Sequence, residues 1–195
     1  MKLVLFDFDG TITTKDTLFE FVRYAVGNGR FAAGMIWLAP MLAAHKCGLV
    51  SAQRAKEKML NHFLGGRTKS ELTEIAQRFT GERVPHLLRA EVFEQFRNFI
   101  RGAHQVCIVT ASCDTWIRPF AEQQGADLLA TRMEFNASGA FTGKFATPNC
   151  KGPEKAKRIR AAYNLSAYNE IIAYGNSSDD NEMFELATTK KLING

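Results

Sequence analysis

Two aspartates stand two positions apart, directly after a short apolar segment at the start of the chain. Asp7 and Asp9 follow residues 2–6 (KLVLF), and Gly10 comes next. A carboxylate at the end of a buried strand is costly unless a partner compensates for its charge. One such carboxylate can attack phosphorus as a nucleophile, and a second within reach can protonate the leaving oxygen. Gly10 would let the backbone turn sharply beneath the phosphate.

Polar residues also follow two later apolar segments, and a lysine lies between them in the chain. They are Thr110 and Ser112 after residues 105–109, Lys155 after Pro153, and Asn176, Asp179 and Asp180 after residues 170–174. Ligands of an open parallel sheet bind outside the carboxyl ends of its strands, so we expect these groups to converge. A divalent cation would relieve the repulsion between the carboxylates, while a hydroxyl and an ammonium group hold phosphate charge. The set therefore suits phosphoryl transfer.

The elements that must position these residues alternate between strands and helices. Short apolar segments at 2–6, 105–109, 127–130 and 170–174 are typical of buried parallel strands. Residues 191–194 are predicted to form an edge strand. Helices are predicted at about residues 115–124, at 153–163 and directly after Asp180. We therefore predict an α/β fold with a doubly wound, mainly parallel sheet and a Rossmann-like core.

A long helical segment separates the first two predicted strands. The predicted helices begin at Thr17, near residue 31, at Ala52, at Ser70 and at His86. Their length exceeds that of one crossover, which indicates an inserted helical cap at 15–87, with the core at 1–14 and 88–195. Residues 133–145 alternate on both sides of a Ser138-Gly139 turn and predict a β-hairpin that serves as a flap.

Residues 31–44 (FAAGMIWLAPMLAA) form the most apolar part of the cap and carry no charge. As a helix they would extend about 21 Å, short of the roughly 30 Å hydrocarbon core of a bilayer, and we expect Pro40 to interrupt them. One interpretation is a central cap helix packed by its neighbours. The other is that part of its surface meets a membrane or an acyl chain, with a lipid phosphate as the substrate.

The overall composition is that of an ordinary globular protein. The chain carries a formal net charge of +5, which suits an anionic substrate or surface, but it has no long basic run that would indicate nucleic acid. Its four cysteines lack metal-ligand spacing and indicate reduced thiols, and no signal peptide is recognisable. We therefore expect a cytoplasmic protein without a transmembrane span.

The motifs DFDGT, Thr-Ala-Ser after the second strand, Lys155 on a helix and GNSSDD resemble, in order and context, those of the haloacid dehalogenase (HAD) phosphatases. The helical insert directly after DFDGT resembles the phosphoserine-phosphatase-like branch, of subfamily IB type. The segment NCKGPEK, which follows Thr142-Gly143, resembles a hydrolase subgroup of that branch with a C-x-G-x-x-K pattern.

The resemblance implies a role for each matching residue. Asp7 would be the nucleophile, Asp9 the general acid and then the base, Thr110 a phosphoryl ligand and Lys155 the neutralising cation. Implied Mg²⁺ ligands are Asp7, Asp9 through its backbone carbonyl, Asn176 and Asp180; implied substrate contacts are Gly10, Asp16, Ala111 and Ser112. The family often has Asp where this chain has Asn176, so one negative charge is missing. Asp16 matches an acid, usually Glu, that reads the substrate in phosphoserine phosphatases.

We thus predict a Mg²⁺-dependent phosphomonoester hydrolase that forms an aspartyl-phosphate and acts on a small or lipid-linked phosphate ester. Phosphoserine is the alternative substrate. An alternative of another class is a receiver-like signalling module, which also combines clustered Asp, Thr or Ser, and Lys on a doubly wound sheet. Local alternatives also remain: Lys151 competes with Lys155, and Thr110, Ser112, Asp16 and Asp179 each suit a helix N-cap.

Overall fold

A computed structural model describes residues 1–194 of the chain and contains a five-stranded sheet in which every neighbouring pair is parallel. The sheet strands are β1 (Lys2–Phe6), β2 (Gln105–Cys113), β3 (Asp127–Thr131), β6 (Glu170–Gly175) and β7 (Thr189–Leu192). Their order across the sheet is β3-β2-β1-β6-β7, so the chain adds strands first on one side of β1 and then on the other. This is the predicted α/β fold.

The central strand β1 is buried on both faces of the sheet, which explains its uninterrupted apolar sequence. Val4 and Phe6 belong to the larger hydrophobic cluster on one face, where Phe6 stacks on Tyr174 at 4.3 Å between ring centroids. Leu3 and Leu5 belong to the smaller cluster on the other face. The strand therefore ends in a dry environment at Asp7.

Eight helices accompany the strands within residues 1–194. Four of them lie between β1 and the helix that precedes β2, in the segment for which the sequence predicts a cap. They are α1 (Thr17–Val26), α2 (Asn28–Lys46), α3 (Ala52–Leu64) and α4 (Lys69–Glu82), followed by α5 (Ala90–Arg101), α6 (Asp114–Gln124), α7 (Pro153–Ala162) and α8 (Asn181–Glu185).

The two chain segments that enter and leave this helical insert run side by side. The Thr14 amide donates to the Leu87 carbonyl at 2.8 Å, and the Arg89 amide donates to the Ile12 carbonyl at 2.8 Å. Thr13 and Leu88 form an antiparallel bridge between these bonds. These backbone bonds lie beside the limits predicted for the cap at 14/15 and 87/88.

The cap packs on the core through aromatic side chains. Phe21 of α1 stacks on Trp116 of α6 at 4.9 Å between ring centroids and meets Phe79 of α4 edge to face at 5.4 Å. All three side chains are fully buried. Cap and core therefore share one continuous hydrophobic cluster.

The hairpin of β4 (Met133–Phe135) and β5 (Phe141–Phe145) forms a separate two-stranded antiparallel sheet. It joins the cap by backbone bonds, since the Phe141 amide donates to the Arg67 carbonyl at 2.9 Å and the Lys69 amide to the Gly139 carbonyl at 2.8 Å. Gly143 (φ 82°) lies so close to Asn61 of α3 that a Cβ would come within 2.4 Å. The hairpin thus packs against the helical insert through α3 and the segment that follows it.

The expectation that Pro40 interrupts the apolar segment is wrong, because α2 runs through it from Asn28 to Lys46. One side of α2 packs against the hydrophobic cluster through Leu38, which is buried, and through Phe31 and Leu42. The opposite side is exposed to solvent. Among residues 1–194, no helix combines the length and the apolar character needed to cross a membrane.

Three predicted bounds also differ from those in the structure. β2 continues past residue 109 to Cys113 through an irregularity in its pairing with β3. The helix predicted from His86 begins only at Ala90, because residues 87–89 pair with the entry segment of the cap. The last strand is Thr189–Leu192, earlier than the predicted 191–194. Within residues 1–194 all four cysteines are unpaired.

Truncation of Phe21 tests the contact between cap and core. We expect Phe21→Ala to lower the free energy of unfolding by about 3–5 kcal/mol, since a fully buried aromatic ring is lost and a cavity remains. Urea denaturation measures this loss. Leu49→Ala, at a side chain that is 81% exposed, is the control and should change stability by less than about 0.5 kcal/mol. A loss at Phe21 no larger than at Leu49 would contradict the packing described.

Candidate active site

The site lies where the strand order reverses, between β1 and its two neighbours. Chains that leave neighbouring strands toward opposite sides open a crevice at the carboxyl edge of a parallel sheet. Asp7 follows β1, Thr110 lies near the end of β2, and Asn176 follows β6. The sheet register aligns Phe6 with Ile108 and with Tyr174, so these three ends are level with one another.

Asp7 is held from three directions. Its backbone amide donates to the Tyr174 carbonyl at 2.9 Å, which continues the β1–β6 ladder. Its Oδ1 accepts a hydrogen bond from Lys155 Nζ at 2.6 Å, and its Oδ2 accepts one from Thr11 Oγ1 at 3.1 Å. Burial raises the pKa of Asp7 to about 6 against the opposing effect of Lys155, with Asp180 adding to the rise. A cation beside Asp7 would favour its ionised, nucleophilic form.

Lys155 is the buried cation of the site, with 2% of its side chain exposed. Pro153 begins α7, and the side chain of Lys155 reaches from its first turn to Asp7 and to Asp180 Oδ1, each at 2.6 Å. Burial alone would lower the pKa of Lys155, but the two carboxylates outweigh it and hold that pKa above its usual value. The ammonium group is therefore permanently charged. Lys151, its competitor in the sequence, lies at the surface and pairs with Asp179 at 2.9 Å.

Asp9 is oriented by hydroxyl groups and one amide. Its Oδ1 accepts from the Thr17 amide at 2.7 Å and from Thr17 Oγ1 at 2.6 Å. Its Oδ2 accepts from Ser112 Oγ at 2.5 Å and, more weakly, from Thr110 Oγ1 at 3.5 Å. Trp116 Nε1 donates to Thr17 Oγ1 at 3.3 Å and fixes that hydroxyl in turn. The second carboxylate is thus positioned from both the cap and the core.

Two features at position 10, its backbone conformation and a close neighbouring side chain, require a glycine. Its φ is 81°, in the left-handed region that L-residues avoid. A Cβ at this position would also lie 2.2 Å from Nδ2 of Asn176. The glycine therefore allows the turn after β1 to lie directly against the side chain of Asn176. Arg89 Nη2 donates to the Gly10 carbonyl at 3.3 Å and supports the same turn from the exit of the cap.

Asp180 holds the loop that follows β6. Its Oδ1 accepts from Lys155, while its Oδ2 accepts from the Asn176 and Ser177 amides at 3.0 and 3.2 Å. Only 1% of its side chain is exposed. Both oxygens of Asp180 therefore contact protein donors. Within residues 1–194, no three His, Cys, Asp or Glu side chains form a cluster that could hold a metal ion on their own.

A cavity of about 190 Å³ opens between α1, α2 and α3, with Asp16 as its acidic lining residue. Asp16, Lys56 and His45 are its polar lining residues, and the Lys56 ammonium donates to the Ala111 carbonyl at 3.3 Å. Burial of the Asp16 carboxyl, together with the negative charge of the nearby Asp9, raises the pKa of Asp16 to about 6. The rest of the lining is apolar and consists of Leu18, Phe19, Leu42, Ala52, Ala55 and Met59.

The local alternatives have different outcomes. Asp16 is an N-cap, since it accepts from the Leu18 amide at 2.8 Å, and it also lines the cavity. Thr110 and Ser112 do not cap α6, whose first residue is Asp114, because their hydroxyls face Asp9. The N-cap interpretation of Asp179 is wrong as well, since its carboxylate pairs with Lys151.

Sequence reasoning missed several residues that support the site. They are Thr11, which contacts Asp7; Thr17 and Trp116, which fix Asp9; Lys56, which contacts Ala111; and Arg89, which contacts Gly10. Thr11 is part of the DFDGT motif, so the motif itself could have identified it as a site residue. The other contacts span at least eight residues of sequence and depend on how the cap meets the core.

Comparisons with known proteins identify the family of this chain and relatives with the same fold. The model of the family described as haloacid dehalogenase-like hydrolase matches residues 4–185. Protein CicA of Caulobacter vibrioides is 35% identical over 191 residues, which is 96% of this chain and 84% of CicA.

Two solved structures have the same fold. A protein of unknown function from Bordetella pertussis Tohama I superposes with a TM-score of 0.83 at 22% identity, covering 97% of this chain and 88% of that one. A phospho-aspartyl intermediate analogue of phosphoserine phosphatase superposes with a TM-score of 0.65 at 21% identity, covering 97% and 84%. At these identities the likeness concerns the fold.

A pair of glycine substitutions tests the contact between Gly10 and Asn176. Gly10 (φ 81°, ψ −10°) and Gly125 (φ 72°, ψ 30°) both have left-handed backbone conformations, but a Cβ at Gly125 would meet no atom within 4 Å. We expect Gly125→Ala to cost about 1–2 kcal/mol of stability for the backbone conformation alone. Gly10→Ala should cost a further ~1–3 kcal/mol, because Asn176 must be displaced. Urea unfolding of both variants measures the difference, and equal losses would refute the close approach.

Proposed function

This chain belongs to the haloacid dehalogenase-like hydrolases, and from that membership we propose that it is a Mg²⁺-dependent phosphomonoester hydrolase that works through an aspartyl-phosphate on Asp7. The observation that carries the proposal is the convergence of two carboxylates and one buried ammonium at the end of β1. Asp7, Asp9 and Lys155 supply a nucleophile, an acid–base group and a fixed positive charge.

The proposed reaction has two steps with balanced proton transfers. The Asp7 carboxylate attacks phosphorus, the bond from phosphorus to the ester oxygen breaks, and the leaving oxygen takes a proton from Asp9. Asp9 then takes a proton from water as the water oxygen attacks phosphorus, which breaks the bond to Asp7 and releases phosphate. Contacts of Asp9 with Thr17 and Ser112 keep the acid–base group aimed during both steps.

Charge on the phosphoryl group needs fixed donors. Lys155 carries a permanent positive charge beside Asp7, and we assign it this role in preference to Lys151, which pairs with Asp179 at the surface. Thr110 lies at the end of β2 with its hydroxyl near Asp9, and we assign it to a phosphoryl oxygen. Preorganised donors of this kind stabilise the charge that develops in the transition state.

The residues present fit a bound Mg²⁺. The carboxylates of Asp7, Asp9 and Asp180 exceed the single charge of Lys155 by two, and the available donors are oxygens, which this hard cation prefers. We propose that the Asp7 carboxylate, the Asp9 backbone carbonyl and the Asn176 side chain hold the ion, and that Asp180 supports them from behind. Bound Mg²⁺ would neutralise phosphate charge and polarise the phosphoryl group.

The leaving group of the substrate would occupy the cavity beside Asp16. Six of its nine lining residues are apolar, which favours a phosphate ester with an apolar group, including a lipid phosphate, over a small charged amino acid ester. Asp16 supports the alternative of phosphoserine, since a carboxylate there could pair with its amino group. The prediction of a cytoplasmic location rests on the interpretation of the four cysteines as reduced thiols.

A turnover assay tests the proposal directly. We expect release of phosphate from p-nitrophenyl phosphate under excess substrate, dependent on Mg²⁺, with Asp7→Asn folded but inactive. Residual activity of Asp7→Asn above a few per cent would refute the covalent route. Asp9→Asn should be slower by about 10²–10⁴-fold, the usual contribution of general acid–base catalysis. Phosphorylation of one Asp per chain without turnover would instead indicate a receiver-like module.

Lys155 and Lys151 form a matched pair of variants. Lys155→Ala should abolish most of kcat/KM and also lower stability, because two buried carboxylates lose their partner. Lys151→Ala should keep both near wild type, since an exposed ion pair contributes about 0–1 kcal/mol. Rates are compared per folded protein from a thermal melt of each variant. A larger loss of kcat/KM in the Lys151 variant would overturn the assignment.

Asn176→Asp tests the proposed metal ligands. The substitution adds a negative charge beside Gly10, and we expect it to lower the Mg²⁺ concentration that gives half-maximal rate. Asp179→Asn, on the same loop but paired with Lys151, serves as the control for a change of loop charge. An unchanged Mg²⁺ requirement in Asn176→Asp would place Asn176 outside the metal site.

A series of alkyl phosphates tests the leaving-group cavity. We expect kcat/KM to rise from ethyl through butyl to hexyl phosphate, with at most a roughly four-fold gain per buried methylene. Ala52→Leu narrows the cavity and should flatten the series without changing the rate for ethyl phosphate. Turnover of phosphoserine well above that of every alkyl phosphate would contradict the apolar assignment and favour the alternative substrate.

A further inference from the structure

The outer face of α2 is apolar and exposed, which is unusual for a helix of this length. Ile36 is 77% exposed and Trp37 70% exposed, and no charged residue lies between Arg30 and Lys46. Contiguous exposed apolar surface of this kind marks an interaction site. We define the outer face by its exposed residues Ala32, Ala33, Ile36, Trp37, Ala39, Pro40 and Ala43.

Packing of the cap does not require these side chains. Leu38, on the opposite side of α2, is 2% exposed and supplies the contact with the hydrophobic cluster. Gly34 lets α2 approach α3 closely, since a Cβ there would lie 2.3 Å from Phe63. Trp37 is held flat against His62 of α3, with ring centroids 4.9 Å apart and an angle of 12° between the rings. The indole is therefore preorganised at the surface.

Cationic side chains border the outer face on the side of α3. Residues 21–56 contain five lysines and arginines and no Asp or Glu, so this segment carries a formal charge of +5. The formal net charge of the whole chain is also +5. Arg30 and Arg67 flank Trp37 in one groove, and Lys58 borders a second groove beside Pro40. Arg30, Lys46 and Lys58 form no salt bridge within residues 1–194.

From this combination we propose that the outer face of α2 lies on the surface of an anionic lipid bilayer. An uncharged apolar strip with a tryptophan and a cationic rim matches a surface whose interior is apolar and whose headgroups are negative. A second copy of the chain fits less well, because a symmetric contact through this face would bring the two cationic rims together. The helix would lie in the plane of the headgroups and not span the bilayer.

Docking of this kind goes beyond the proposed hydrolysis and does not depend on it. It does have a consequence if that function holds. Leu42 and His45 on α2 line the cavity beside Asp16, so the helix that rests on the bilayer is also a wall of the leaving-group site. A phosphate ester anchored in the same bilayer would then meet the crevice without leaving the surface.

Flotation of the full chain with vesicles tests the proposal. We expect the protein to float with vesicles of equal parts phosphatidylglycerol and phosphatidylcholine and to remain behind with phosphatidylcholine alone. The double variant Ile36→Ser/Trp37→Ser should bind at least about ten-fold more weakly, since two apolar side chains no longer enter the interface. Lys46→Gln and Lys58→Gln should each weaken binding by roughly five-fold.

Leu192→Ser is the matched control, because Leu192 is also an exposed large apolar residue, at 63%, but lies on β7 away from the cap. It should float like the wild type. The double variant should keep its melting temperature and its rate on p-nitrophenyl phosphate, so that loss of binding is separable from loss of fold or of hydrolysis.

Three results would overturn the proposal. They are failure of the wild type to float with anionic vesicles, flotation of the Ile36/Trp37 variant at wild-type level, and equal weakening by Leu192→Ser. Sedimentation analysis without lipid adds a further one: a dimer that the Ile36/Trp37 variant dissociates would assign the outer face to a second copy of the chain. A rate of zero on every phosphate ester would refute the hydrolysis and leave the docking result standing.

Discussion

The arrangement of the site depends on one buried ammonium group between two carboxylates. Lys155 Nζ contacts Asp7 and Asp180 at 2.6 Å each, and none of the three side chains is more than 10% exposed. Removing either kind of charge from such a group leaves the other uncompensated in a dry environment. Because the three residues follow β1, begin α7 and follow β6, this contact ties together segments that are far apart in sequence. It therefore fixes the positions of the segments after β1 and β6 relative to α7.

The second oxygen of Asp180 carries that constraint into the backbone. By accepting from the Asn176 and Ser177 amides, it holds the loop after β6 in one conformation, with the Asn176 side chain against Gly10. Gly10 in turn sits in the left-handed turn that separates Asp7 from the cap. The position proposed for the metal is therefore a result of packing among loops.

Sequence patterns predicted the features that depend on neighbouring residues in the chain, but not those that depend on tertiary contacts. The polar residues at the ends of β1, β2 and β6 were predictable, because buried parallel strands are short apolar runs and ligands gather at their carboxyl ends. The run of helices between β1 and β2 was also predictable, because its length exceeds that of one crossover. The continuation of α2 through Pro40, the docking of the hairpin on α3, and the contact of Ser112 with Asp9 all depend on tertiary neighbours that no local spacing reveals.

The orientation of Asp9 links the cap to the chemistry proposed for the core. Its Oδ1 is held by Thr17, the first residue of α1, whereas its Oδ2 is held by Ser112 of β2. Thr17 is itself fixed by Trp116, the ring on which Phe21 of the cap stacks. Any displacement of α1 from α6 would therefore release one oxygen of Asp9. The carboxylate proposed as the acid–base group is held at both oxygens only while α1 stays in contact with α6, so the packing of Phe21 on Trp116 also sets the orientation of Asp9.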